Sequence, residues 1–360
     1  MISAHAPGRV ELLGNHTDYN QGLVLAAAID RELTVSGAAR SDDIVSFTSE
    51  THIEVSLGEI RPQTIERWAN YPLGVVRQFQ ERGFAVRGFD ARITGDLAAG
   101  VGLSSSAALE VATAGFLMKL HHLQIAPFEI AKLCQRAENE FVGVPSGPLD
   151  QVTSVFGRAD HLVYLDCQSD EIRTIPFPPG FALVIADSGV KHSLVQGEYK
   201  ARREECAAAA RAMGAASLRE ITPQHLGEVR ASLDPLHYRR ALHIVGENDR
   251  VCRAVAALET GDAHMLGQLM NASHESSRLN FENSTPELDL LVAIAQSLTG
   301  VLGARLTGGG FGGGTVSLVR REAAESVVSA LQTVSQERGG RVPAVFVCRI
   351  ADGAAVGWES

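Results

Sequence analysis

Short apolar runs separated by Asn, Asp, Gly and Ser open the chain and predict strands at residues 10–13, 22–28, 33–38 and 44–47. Trp68, Val75, Val76 and Phe79 then recur at helical spacing, and Phe89, Ala91 and Ile93 alternate as one face of a strand. That strand runs into a glycine- and serine-rich segment, residues 95–108, which leads into a helix-compatible apolar stretch at 109–120. Residues 129–141 carry Ile130, Leu133, Cys134, Ala137 and Phe141 at helical spacing and end in a turn-rich segment at 143–148. After a strand at 162–165, the proline-rich residues 176–180 predict a boundary near residue 175. A strand at 182–186, helices at 199–213, 239–258 and 286–299, and strands at 303–306, 315–319 and 345–350 complete the pattern. Strands and helices do not alternate strictly, so the expected class is α+β rather than a doubly wound sheet. With 360 residues, 45% of them hydrophobic, two domains are expected, at 1–175 and 176–360.

Charge changes the picture by exclusion. There are 32 Lys+Arg against 42 Asp+Glu, a net charge of -10, and no basic run, so nucleic acid is not an expected partner. An anionic ligand must therefore be held by local geometry. The five cysteines, Cys134, Cys167, Cys206, Cys252 and Cys348, are far apart and lack metal-ligand spacing, which suits reduced thiols in a cytoplasmic protein. Residues 1–9 lack a secretory pattern, and no apolar run approaches the roughly 20 residues that span a bilayer, so no membrane partner is expected.

Residues 95–108 read Gly-Asp-Leu-Ala-Ala-Gly-Val-Gly-Leu-Ser-Ser-Ser-Ala-Ala. Glycines let backbone approach an anion, and the first N–H groups of the following helix are unpaired and point at it. A glycine turn with a serine cap explains the same residues. The segment lacks the Lys-Ser/Thr ending of a Walker loop. Residues 307–314 formally fit G-x-G-x-x-G from Gly308 to Gly313, but a strand comes next where a dinucleotide site needs a helix. Asn15, His16, Thr17 and Asp18 crowd polar groups at the end of a strand, which suits a polyhydroxylated ligand or an Asx-rich hairpin. Glu138 and Asp150 flank the 143–148 turn. They suit metal binding and proton handling, or a solvated helix charge and a helix cap.

In their order along the chain, these motifs resemble those of the GHMP small-molecule kinases, and residues 9–22 resemble the opening motif of the galactokinases within that family. Residues 95–108 are similar to the ATP-phosphate loop and 303–315 to the C-terminal glycine motif. Smaller likenesses lie at 143–151, at Glu198, Tyr199, Arg202, Arg203 and Cys206, and at 286–289, so the resemblance covers nearly the whole chain. It implies an N-terminal domain like domain 2 of ribosomal protein S5, a ferredoxin-like C-terminal domain, and an active site between them. It also implies an enzyme using ATP and Mg2+ to convert galactose to galactose 1-phosphate; a monomer is favoured, although sequence leaves the oligomeric state open. The resemblance places Asp150 beside the anomeric hydroxyl and Arg9 beside the transferred phosphoryl group. Gly100, Gly102, Leu103, Ser104, Ser105, Ser106 and Ala107 fall at ATP positions, and Ser106 and Glu138 at magnesium positions. Asn15, His16, Asp18, Gly147 and Tyr199 fall at sugar positions, and Gly308, Gly309, Gly310, Phe311, Gly312 and Gly313 form the structural glycine motif.

The chain departs from the pattern at Asn15, where galactokinases usually carry a glutamate that contacts the hydroxymethyl end of the sugar. A neutral amide there leaves two acceptors open, galactose and a sugar with a C6 carboxylate such as galacturonate. A non-catalytic sugar sensor is a further alternative, against which Ser106, Ala107 and Asp150 are intact. Mevalonate or homoserine as substrate is disfavoured by the polar cluster at 16–19. Ala98 in place of a usual proline, and Pro148-Leu149 in place of an aliphatic pair, are smaller departures.

Overall fold

The two apolar runs at 22–28 and 33–38 belong to one strand. In the computed structural model, which describes residues 1–190, 195–339 and 343–355, β1 (Ile2–Leu13) pairs antiparallel with β2 (Leu23–Ala39) along almost its whole length. Register shifts at Pro7/Arg9 and Glu11/Leu13 absorb the extra residues. The polar stretch at 30–32 suggests a break, but β2 runs through it, between the portion that pairs with β6 and the portion that pairs with β5, and its side chains reach solvent, where Asp96 accepts from the Arg31 side chain and the Glu32 backbone.

β3 (Ile44–Thr48), β4 (His52–Ser56), α1 (Asn70–Glu81), β5 (Phe89–Gly95), α2 (Ser105–His121), α3 (Pro127–Arg136), α4 (Leu149–Phe156), β6 (His161–Asp166) and β7 (Glu171–Pro176) complete the first layer pair. The seven-stranded sheet runs β4-β3-β5-β2-β6-β7, with β1 also on β2, and β3 lies parallel to β5. The helices cover one face through Val35, Phe47 and Phe89 from the sheet and Leu73, Phe116, Leu133 and Val152 from above. α2 is apolar all round because sheet and helices enclose it, which is the condition for such a helix to form. The single helix expected over 129–141 is split. α3 ends at Arg136 and widens into a π-helical turn, Ala137–Val142, a local form often seen at functional sites, and it carries Glu138 inward.

β8 (Phe181–Asp187), α5 (Val195–Ala212), α6 (Pro223–Glu228), α7 (Pro235–Glu259), α8 (Ala263–Ser276), α9 (Pro286–Ser297), β9 (Val301–Thr307), β10 (Gly314–Arg320), α10 (Ala324–Gly339) and β11 (Val345–Cys348) make up the rest. β11-β8-β10-β9 is an antiparallel sheet. Successive strand residues face opposite ways. Ala182, Val184 and Ala186 meet α9 and α10, while Leu183 and Ile185 join Val316, Leu318, Val251 and Leu266 in a cluster that also holds Val10, Leu12 and Leu25. The sheets therefore change between β7 and β8, near the expected boundary, yet one apolar cluster spans both. The chain also returns to the first layer after β11, where Ala351 N–H donates to Ala28 and Gly353 N–H to Gly157. No described helix is long and apolar enough to cross a membrane, and all five cysteines are free thiols.

α8 reaches β9 because both contact positions are glycine: a Cβ on Gly303 would lie 2.1 Å from the Gly267 carbonyl oxygen. Both obstacles are backbone and cannot rotate away. Gly303→Val is expected to lower unfolding free energy by about 3 kcal/mol or more, read by urea denaturation, whereas an unchanged midpoint would contradict the packing account.

Candidate active site

β1, the loop before α2 and the start of α4 converge on one ion pair. Alternation along β1 puts Arg9 and Glu11 on the same face, directed away from the apolar Val10 and Leu12. Arg9 Nε and Nη2 each lie 2.7 Å from Asp150 Oδ1, and Nη1 donates to the Gly102 carbonyl at 2.8 Å. Ser104 takes a left-handed backbone, φ 55°, and its hydroxyl does not cap α2 but donates to Asp150 Oδ2 at 2.5 Å. Both oxygens of Asp150 are thus held, at the end of a helix whose first N–H groups lack partners within it.

The glycines of the loop serve approach as well as turning. Gly100 and Gly102 have φ of 84° and 79°, and a Cβ on Gly102 would lie 2.9 Å from the Thr307 carbonyl oxygen. Gly308 and Gly313 also come up against Gly102, and Gly310 fits against the Asn283 carbonyl, which accepts the Phe311 N–H at 2.7 Å. Gly309 lies against Tyr199, and Gly312, φ 127°, turns the loop into β10. This second glycine motif is a backbone seam with a strand after it, as expected. Leu103 and Ala107 are buried and anchor the ends of the cradle, while Ser105 and Ser106 are partly exposed on the first turn of α2.

Glu138 accepts from Ser146 Oγ at 2.5 Å and from Gln151 Nε2 at 2.9 Å, and Ser106 is near enough to help lower its pKa. Burial pushes its pKa up, and Asp150 adds to the rise. Behind it Glu110 shares the Gln151 amide at 2.9 Å, and burial, reinforced by Glu138, raises its carboxyl well above the ordinary range. Glu110 Oε1 and Gln151 Oε1 have no hydrogen-bond partner. Among the described residues no three His, Cys, Asp or Glu side chains cluster as a metal site. The Ser106 and Glu138 pair nonetheless fits magnesium, which takes one or two protein oxygens and completes its shell with phosphate and water.

Asp18 lies so close to Gly147 that a Cβ there would be 2.2 Å from Asp18 Oδ2. Burial first, then the charges of Asp150 and Glu11, push the Asp18 pKa up to about 7. His16 Nε2 donates to the Gly309 carbonyl at 2.8 Å and Nδ1 accepts from the Tyr19 hydroxyl at 2.7 Å, while burial lowers its pKa to about 4 and keeps it neutral. Its ring lies 5.0 Å from that of Tyr199. Asn15, expected to meet substrate, has its amide taken up inside the protein. It is fully buried, donates to Glu11 Oε1 at 3.0 Å and the Gly308 carbonyl at 2.8 Å, and accepts from Asn283 Nδ2 at 2.9 Å.

Sequence reasoning missed Glu11, Glu110, Glu247, Asn283 and Arg305. Glu110 left a signal, a lone carboxylate in an otherwise apolar helix. Glu247 is fully buried on α7 and accepts the N–H groups of Gly14 and Asn15 at 2.8 and 2.9 Å. Burial is the largest single influence and would raise its pKa, but Arg250 at 2.6 Å, together with His243, Arg305 and the Asn15 N–H, outweighs it and holds the carboxyl well below the ordinary range.

Known proteins share this organisation. The chain matches the galactokinase galactose-binding signature over residues 2–39, the GHMP kinases N terminal domain over 70–158 and the GHMP kinases C terminal domain over 254–335. It is 43% identical to a galactokinase of Roseiflexus sp. (strain RS-1), covering 98% of this chain and 92% of the relative. It is also 43% identical to one of Glaesserella parasuis serovar 5, covering 98% and 94%. The structure of Lactococcus lactis galactokinase complexed with galactose superposes with a TM-score of 0.94 at 33% identity, covering 98% of this chain and 94% of that one. Methanococcus jannaschii mevalonate kinase shares the fold, with a TM-score of 0.69 at 19% identity over 97% and 98% of the two chains.

Glu247→Gln is expected to cost roughly 3–5 kcal/mol at neutral pH by leaving Arg250 and two backbone donors short of their anion. A carboxyl lowered in the folded state stabilises above its unfolded value, here 4.5, and loses that effect as pH falls. The stability gap between the two proteins, read from denaturation curves, should therefore begin to narrow below about pH 4.5 and go on narrowing as pH falls towards the much lower folded value; a gap that does not change with pH would refute the assignment.

Proposed function

The chain belongs to the galactokinase family of GHMP kinases, and on that premise we propose how its residues transfer the γ-phosphoryl group of ATP to the anomeric hydroxyl of galactose. The product is galactose 1-phosphate. The observation that carries the residue assignment is the Arg9–Asp150 pair, fixed by Ser104 at the start of α2. Asp150 accepts or orients the anomeric proton, and because both its oxygens are held it presents one geometry to the sugar. Arg9, touching Asp150 and the Gly102 carbonyl, is placed to offset charge on the phosphoryl oxygens as they approach.

ATP is held by Gly100, Gly102, Leu103, Ser104, Ser105, Ser106 and Ala107, through the free N–H groups of the cradle and helix start. Ser106 and Glu138 hold Mg2+, which when bound neutralises phosphate charge. Asp18, near neutrality both donor and acceptor, shares the sugar hydroxyls with Tyr199, His16 backs them with its ring while its nitrogens hold Gly309 and Tyr19, and Gly147 leaves room for the Asp18 carboxyl. Asn15 acts from behind, fixing the sugar loop to Gly308. The joined state of Ser104, Asp150 and Arg9 favours an enzyme over a sugar sensor. The five free thiols accord with a reducing compartment such as the cytoplasm.

The test is ADP release with ATP and Mg2+ in the presence of galactose, galacturonate or mevalonate. Galactose is expected to be turned over, and Asp150→Asn to lower kcat by roughly 10²–10⁴-fold while nucleotide still binds. Absence of turnover with every sugar, or a full rate in Asp150→Asn, would sink the proposal.

A further inference from the structure

Glu11 and Asn15 form one unit with Arg305. Glu11 stands on β1 and Arg305 on β9, both buried, and Arg305 Nη1 donates to Glu11 Oε1 at 2.8 Å. Asn15 Nδ2 reaches the same carboxylate, at 3.0 Å from Oε1 and 3.4 Å from Oε2, and also donates to the Gly308 carbonyl. Its Oδ1 accepts from Asn283. The Glu11 backbone is tied to the same strand end, since its N–H donates to Thr307 Oγ1 at 2.9 Å. Arg305 Nε and Nη2 have no hydrogen-bond partner, so Glu11 is the anion that neutralises this guanidinium among the described residues.

These contacts dictate the residue types as a pair. A carboxylate at position 15 would face the Glu11 carboxylate and the Gly308 carbonyl, two acceptors with no proton between them. An amide at position 11 would leave Arg305 buried without a counter-charge. The resemblance to galactokinases leads one to expect a glutamate at position 15, and the structure holds a carboxylate beside that position, supplied four residues earlier on β1. We propose that Glu11 and Asn15 are a transposed charge pair, in which Glu11 carries the negative charge that a glutamate at position 15 would bring and acts with Asn15 as a positioning pair for galactose. The loss of a glutamate at position 15 is thus not a loss of charge, and it does not open the site to a C6 carboxylate. Glu11 acts through others: it shares the face of β1 that carries Arg9, and through Asn15 it sets the loop that carries His16 and Asp18.

The inference rests on the galactokinase reading, and a four-protein cycle keeps the two separable: wild type, Glu11→Asn, Asn15→Glu and the double variant. Wild-type turnover of galactose tests the reading. The cycle tests the pair. Each single change is expected to raise KM for galactose at least tenfold with KM for ATP unchanged, and to lower the thermal midpoint. The double variant is expected to return within about threefold of wild type on both kinetic constants. If the single variants fail to fold, a folded, active double variant still supports the pair. An Asn15→Glu protein as efficient as wild type, a double variant as impaired as the product of the single effects, or one that does not fold would overturn it. Should wild type not use galactose, the same cycle read as thermal midpoints decides the pair, with non-additive recovery supporting it and additive loss overturning it.

Discussion

Charge taken out of water between the two sheets has to be neutralised where it lies, and that constraint organises the seam. Arg9 finds Asp150, Arg305 finds Glu11, and Glu247 finds Arg250 and two backbone N–H groups. Two of these pairings join residues 141 and 294 positions apart, so the interface cannot form until distant segments are in place. The same arrangement serves chemistry, because a carboxylate with both oxygens engaged holds one orientation before a substrate arrives.

Two glycine-rich segments do different work at this seam. The first, before α2, leaves backbone donors and serine hydroxyls facing outward at a helix start. The second, between β9 and β10, spends its glycines on approach to Gly102 and Asn283. Sequence alone separates them by the element that each one leads into: a helix, which offers free N–H groups, or a strand, whose N–H groups enter a ladder.

Local pattern was legible where a residue's partners lie nearby in the chain. Strand alternation, the apolar run of α2 and the turn before α4 all arise from spacing, whereas Arg9, Ser104 and Asp150, far apart in the chain, were assigned to one site only through the resemblance to galactokinases. Two expectations failed for physical reasons. The break in β2 was inferred from polar residues that face solvent, and the single helix at 129–141 missed a π-helical turn that nothing in the spacing of apolar residues encodes. The role of Asn15 was illegible for a third reason. Its amide is consumed by Glu11, Gly308 and Asn283, and two of these three partners lie more than 260 residues away.

The central claim is that the Arg9–Asp150 pair is the point at which sugar and phosphoryl group meet. A crystal structure of the protein with galactose and a non-hydrolysable ATP analogue tests it directly. The anomeric oxygen should lie within about 3 Å of an Asp150 carboxylate oxygen, with Arg9 in contact with the terminal phosphate. An anomeric oxygen that binds away from Asp150, or a nucleotide whose phosphates do not enter the 100–107 cradle, would contradict the account.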